Sequence, residues 1–198
     1  MLLYSHTIYI KVIIVMNKEK KLSTTDIAYI GLFAALIAIC SWITIPTPMV
    51  PITLQTFAVF LTVGILKTKR ALLAVGTYIL IGAVGVPVFA GFSGGLGSLL
   101  GTSGGYIIGF LFTVLVTGII INKFGNKIYV MFLAMLAGLI VCYIFGTIWF
   151  MVVFTSTKGT VSIMNALMWC VFPFIIPDII KIALACIITQ RVQKHIKQ

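Results

Sequence analysis

Two charges stand three residues apart in an otherwise apolar stretch, Pro173-Phe-Ile-Ile-Pro177-Asp178-Ile-Ile-Lys181. On a helix this spacing puts Asp178 and Lys181 on one face, about a turn apart. Near the centre of a membrane helix each charge costs roughly 2.5–3.5 kcal/mol, so something must offset them. Pro177 suits a helix start, where a missing N–H costs little. Asp178 would then lie near the positive end of the helix dipole. A carboxylate beside an ammonium can accept from and donate to one polar ligand. The competing use is a self-neutralising pair that only packs the bundle, although a buried pair is weak evidence of stabilisation.

Three further constellations bear on a ligand. In Pro51-Ile-Thr53-Leu-Gln55-Thr56-Phe57 an amide stands among hydroxyls, a donor and acceptor set suited to an amide-like or urea-like group. Helix capping and interhelical bonding compete for the same atoms. Thr53 and Gln55 share a face only if the chain is extended there. The run from Gly91 to Tyr106 includes Gly94, Gly95, Gly97, Gly101, Gly104 and Gly105. Such a run permits positive φ and leaves N–H groups free for an anion; it has no Gly-Lys-Ser/Thr, which argues against a nucleotide loop. A flexible lid over a pocket is the expectation, with close helix packing as the alternative. Gly31/Ala35 and Ala34/Ala38 form small-xxx-small pairs, which let another helix approach closely.

No catalytic set emerges. His6 and His195 lie near the termini, and no second carboxylate stands near Asp178. Cys40, Cys142, Cys170 and Cys186 show no CxxC spacing and read as small packing residues. Neither a metal site nor a cofactor is expected.

The elements that position these groups follow from composition. Of 198 residues 61% are hydrophobic and only 9% charged, with a mean hydropathy of +1.22. A chain this apolar has lipid as its solvent. In lipid the backbone must satisfy itself, and long non-alternating apolar runs select helices over a barrel. Six spans are expected, at about 26–45, 52–66, 71–86, 106–121, 128–153 and 174–190, with a short outer helix at 161–172. Spans 2, 3 and 4 are shorter than the roughly 20 residues a bilayer needs. The net charge of +11 gathers in clusters at 18–21, 67–70, 123–127 and 191–197. With the N-terminus inside, all four are cytoplasmic, and the outward turns carry only Lys158. The positive-inside rule therefore gives cytoplasmic termini, and these cations are topology signals rather than a nucleic-acid surface. The expected organisation is an N-terminal arm at 1–22, a membrane domain at 23–192 and a basic tail at 193–198. Residues 1–15 read as an upstream start-site extension or a disordered arm.

Four ordered motifs carry a resemblance: Val50-Pro51-Ile-Thr53-Leu-Gln55-Thr-Phe57, Gly85-Val-Pro87-Val-Phe89, Gly101-Thr-Ser-Gly104-Gly105-Tyr106-Ile-Ile-Gly109-Phe110 and Pro177-Asp178-Ile-Ile-Lys181. Together they resemble the BioY family, the biotin-specific substrate-binding (S) subunits of energy-coupling factor transporters, over roughly residues 20–192. The family usually has Gly-Pro-Thr-Gly-Gly-Tyr where this chain has Gly101-Thr102-Ser103-Gly104-Gly105-Tyr106, and losing the proline should loosen that loop.

The resemblance implies an all-α integral membrane bundle in a bacterial-type cell membrane, with biotin bound from outside as cargo. It also implies docking on a transmembrane coupling subunit with two ATP-hydrolysing subunits. On that basis Asp178, Lys181, Gln55 and Thr53 are the expected polar shell. Phe89 and Tyr106 are the expected walls, and Gly94 and Gly95 part of the closing loop. The face of Gly31, Ala34, Ala35 and Ala38 is the expected docking surface. The alternative is a self-sufficient secondary transporter or a small intramembrane enzyme using Asp178 and Lys181.

Overall fold

The computed structural model describes residues 22–196 and, of Ile196, the backbone alone. Most of the expected N-terminal arm, with Lys18, Lys20 and Lys21, and Lys197 of the tail lie outside the described residues. Helix α1 (Thr24–Trp42) starts where Ser23 and Asp26 cap each other reciprocally, each side chain bonded at 3.1 Å to the other's backbone N–H. Strands β1 (Thr44–Ile45) and β2 (Ile52–Thr53) then pair antiparallel, Thr44 opposite Thr53. The proline-rich segment 46–51 forms the turn between them.

Helix α2 (Gln55–Ala83) is broken at Lys67, whose φ of 63° and ψ of 164° are non-helical. A straight helix would separate Gln55 and Tyr78 by about 34 Å at 1.5 Å per residue, yet their side chains are hydrogen-bonded at 2.5 Å. The element is therefore a hairpin of two arms, 55–66 and 68–83, matching the second and third expected spans. They are about 18 and 24 Å long, less than the roughly 30 Å hydrocarbon core.

A 3-10 turn (Ala90–Phe92) and α3 (Leu96–Leu100) lead to α4 (Gly104–Phe124), α5 (Ile128–Lys158), α6 (Ile163–Cys170) and α7 (Phe172–Ile196). Among the described residues, four stretches are long and apolar enough to cross a membrane: α1, α4, α5 and 163–195. This is a mostly helical membrane fold, as expected; the two short arms of α2 stand at the second and third of the six expected spans.

Residues 155–158, beyond the expected end of the fifth span at 153, form the last turn of α5. Its hydroxyls fold back on the helix, Ser156 and Thr157 donating to the Val153 carbonyl at 2.8 and 2.9 Å. The helix ends at Gly159 with φ 104°.

Helices α4 and α5 pack most closely because small residues sit at their crossing. A methyl added at Gly105 would lie 2.3 Å from Trp149, and one at Gly146 2.3 Å from the Tyr106 ring. The core divides into a cluster around Ile37, Tyr78 and Val114, another around Phe60, Met135 and Ile182, and a third around Phe150, Cys170 and Phe174. Large apolar side chains such as Leu32, Leu80, Leu133 and Ile148 stay exposed, as a lipid-facing surface requires. At one end Asn122 donates to Thr68 at 3.0 Å and Gln193 to the Gly64 carbonyl at 2.8 Å. These bonds gather the basic segments of α2, α4 and α7, and Lys158 stands at the opposite end of α5.

Candidate functional site

The end of the bundle that carries Lys158 holds a cavity with about 750 Å³ of empty space, its open mouth included. Its polar floor comes from three helices. Asp178, 1% exposed, and Lys181, 6% exposed, project from α7, and their charged groups meet at 2.7 Å. Thr56 on α2 donates to Asp178 Oδ1 at 3.0 Å and accepts from Lys181 Nζ at 3.1 Å. Tyr143 on α5 donates to Asp178 Oδ2 at 2.6 Å. One carboxylate thus holds three helices together through charge-assisted bonds.

The helix-start reading of Pro177 is corrected. Helix α7 begins at Phe172 and contains Pro177, so Asp178 stands in the second turn, beyond the strongest influence of the dipole. The proline's role differs accordingly: it removes the N–H that would bond the Pro173 carbonyl. Asp178 is held by its three side-chain donors.

Where β2 gives way to α2, the chain is extended at Thr53 and helical from Gln55. Thr53 Oγ1 accepts the Gln55 N–H at 3.2 Å. Gln55, 4% exposed, donates its amide to Tyr78 and also lines the cavity, as does Thr53. Thr53 and Lys181 line in addition an apolar groove between the β-hairpin and α7, so these two side chains part the cavity from the lipid side.

Phe89 and Tyr106 form walls of the cavity. Phe89 packs edge-on to Tyr78 with centroids 5.5 Å apart, and the Tyr106 hydroxyl lies 3.0 Å from Thr147 Oγ1.

Gly94 and Gly95 do not line the cavity, and the glycine-rich segment is fastened down rather than left as a loose lid. Gly95 donates its N–H to the Gly82 carbonyl at 2.7 Å, and Phe89 N donates to Ser93 O at 2.9 Å. A Cβ at Gly94 would come within 2.4 Å of the Val86 carbonyl, and Gly95 needs its φ of 84°. These glycines permit close backbone packing. The groups that the segment does present to the cavity are Ser93, Ser98 and Ser103. Ser103 is the N-cap residue of α4, but its hydroxyl makes no capping bond.

Sequence reasoning also passed over Tyr143, Cys142, Cys170 and Phe174, all of which line the cavity. Each sits in an apolar run where only tertiary packing marks the face. A signal was available for Tyr143: it carries a hydroxyl in a span that must pair its polar groups internally. Among the described residues no group of three or more His, Cys, Asp or Glu could hold a metal ion.

The small-residue face of α1 divides. Gly31 and Ala35 are exposed, and a methyl at Gly31 would meet nothing within 4 Å. Ala34 and Ala38 are 4% and 7% exposed and belong to the core. The docking surface expected from all four residues is corrected to exclude this inward pair, because positions three apart on a helix point about 60° from one another.

Comparison with known proteins gives one consistent answer. A sequence model described as "BioY family" matches residues 16–198. The biotin transporter BioY of Thermotoga maritima is 40% identical over 165 residues, 83% of this chain and 93% of that protein. The probable biotin transporter BioY of Pyrococcus horikoshii is 38% identical over 168 residues, 85% and 96% of the two chains. A solved structure, the S-component for biotin from an ECF-type ABC transporter, superposes with a TM-score of 0.77 at 28% identity, covering 86% of this chain and 91% of that one.

Proposed function

We propose, on the premise that the chain belongs to the BioY family, that it is the substrate-binding subunit of a biotin uptake transporter. It is not an enzyme: biotin is cargo, neither a cofactor nor transformed. The observation that carries this reading is the buried floor of Asp178, Lys181, Thr56 and Tyr143 under a cavity walled by Phe89 and Tyr106. A fused ureido ring needs acceptors for its N–H groups and a donor for its carbonyl. Asp178 and Lys181 supply one of each, and the apolar walls suit the sulfur ring and alkyl chain.

The ligand enters from the side away from the basic clusters, across the cell membrane in which the bundle sits. The filled subunit then delivers biotin through a transmembrane coupling subunit driven by two ATP-hydrolysing subunits. Exposed Gly31 and Ala35 on α1 offer that partner a close approach. The reading of the Asp178–Lys181 pair as the machinery of a solitary transporter or an enzyme is not favoured, because the relatives are named as biotin transporters and the matched structure as an S-component.

Labelled biotin and the purified protein test the proposal. Saturable binding of one biotin per chain, with no turnover, is expected. Absence of binding, or chemical conversion of the biotin, would overturn it.

A further inference from the structure

The donors already bound to Asp178 limit what the floor will accept. A carboxylate offers about four lone-pair sites. Lys181 and Thr56 fill both on Oδ1, and Tyr143 fills one of the two on Oδ2. One acceptor site remains, beside the Tyr143 hydroxyl. Lys181 has three N–H donors, of which two reach Asp178 and Thr56. Its third has no partner among the described residues, and Lys181 lines the cavity. The floor is thereby left with one acceptor site and one donor that the described residues do not fill, both on side chains that line the cavity.

We propose that Tyr143 is a specificity-determining residue that restricts this floor to a ligand edge carrying one N–H and one C=O. Such an edge belongs to a urea or a lactam. A guanidine places N–H groups at both positions, so one meets Asp178 and the other meets the Lys181 ammonium, donor against donor. Sites built to pair a specific polar group reject the mismatched analogue because their own buried groups are left unpaired. Tyr143 enforces the rule by occupying the second Oδ2 site, which would otherwise admit a second N–H of a guanidine. It does so from α5, while the pair itself stands on α7. The inference rests on the assignment of a ureido ligand to this floor.

The test compares biotin with its guanidino analogue, 2-iminobiotin, on the purified full chain. Wild-type protein is expected to prefer biotin. In Tyr143→Phe, which removes only the hydroxyl, the preference ratio is expected to move toward the guanidino analogue by on the order of tenfold, whatever happens to biotin affinity itself. An unchanged ratio in Tyr143→Phe overturns the proposal, since the hydroxyl would then play no part in the preference. Loss of all binding in Tyr143→Phe would make the residue structural and overturn it as well. If wild-type protein fails to bind biotin, the parent reading falls and takes this one with it; retained biotin binding with an unmoved ratio sinks this inference alone.

Discussion

Gln55 and Tyr78 stand twenty-three positions apart in one helical element, and their side chains meet at 2.5 Å. That contact closes the hairpin of α2 and at the same time anchors a residue of the cavity. Tyr78 also packs against Phe89, the next wall of the site. The break at Lys67, at the opposite end of the hairpin, therefore decides where the polar floor can form.

Lys67 occupies a backbone region, φ 63° and ψ 164°, that is essentially restricted to glycine and costs about 1–3 kcal/mol for other residues. Replacing Lys67 with Gly is expected to raise thermal stability in detergent. The gain is reduced by the extra freedom glycine has in the unfolded chain, about 0.4–1 kcal/mol. A net gain on the order of 1 kcal/mol is the expectation, and a lowered melting temperature would show that the lysine side chain contributes more than its backbone strain removes.

The ion pair separates binding from folding. Asp178→Asn removes the charge from three hydrogen bonds and leaves Lys181 buried without its counter-ion. Breaking a buried pair in this way costs about 3–5 kcal/mol, so the variant should melt lower while still inserting into the membrane. Biotin affinity should fall by about 1.5–3 kcal/mol, the worth of a hydrogen bond to a charged group. The double change Asp178→Asn with Lys181→Met is expected to restore much of the stability but none of the affinity. Affinity regained by the double variant would remove the pair from the site.

Composition and charge placement made the membrane class, the basic end and the approximate spans legible, because each follows from local chemistry. Asp178 and Lys181 stood out for the same reason: a buried charge in an apolar run is costly wherever the run folds. Thr53, Gln55, Phe89 and Tyr106 came from motifs, and the fold brings all four to one cavity. Tyr143 was hidden because its partner lies 35 positions away. The glycine segment was misjudged for a related reason. Sequence shows that glycines can move, whereas the carbonyls of Gly82 and Val86 that pin them are visible only after folding.

The glycine segment should therefore respond unevenly to alanine. At Gly94 a Cβ would sit 2.4 Å from the Val86 carbonyl, and at Gly104 it would sit 1.7 Å from the Leu99 carbonyl. Backbone on both sides leaves little room to give. At Gly97, inside α3, nothing lies within 4 Å, and alanine is the better helix former by about 1 kcal/mol. Gly94→Ala and Gly104→Ala are expected to lower both the melting temperature and biotin binding, while Gly97→Ala leaves both intact or slightly improved. A uniform tolerance at all three positions would restore the loose lid.

The divided face of α1 yields a prediction about partners. Ala34 lies in the core at 4% exposure, so Ala34→Leu overpacks it and should cost about 1–3 kcal/mol. That loss would appear in the isolated protein with no partner present. Ala35 is exposed, and Ala35→Leu should change the stability of the isolated subunit by no more than about 0.5 kcal/mol and leave biotin binding in place. If this half of the face receives the coupling subunit, the same side chain holds two helices apart where close contact is needed. Biotin uptake and co-purification with the ATP-hydrolysing subunits should then fall although binding persists. Normal uptake by Ala35→Leu together with a similarly bulky Gly31→Leu would move the docking surface away from α1.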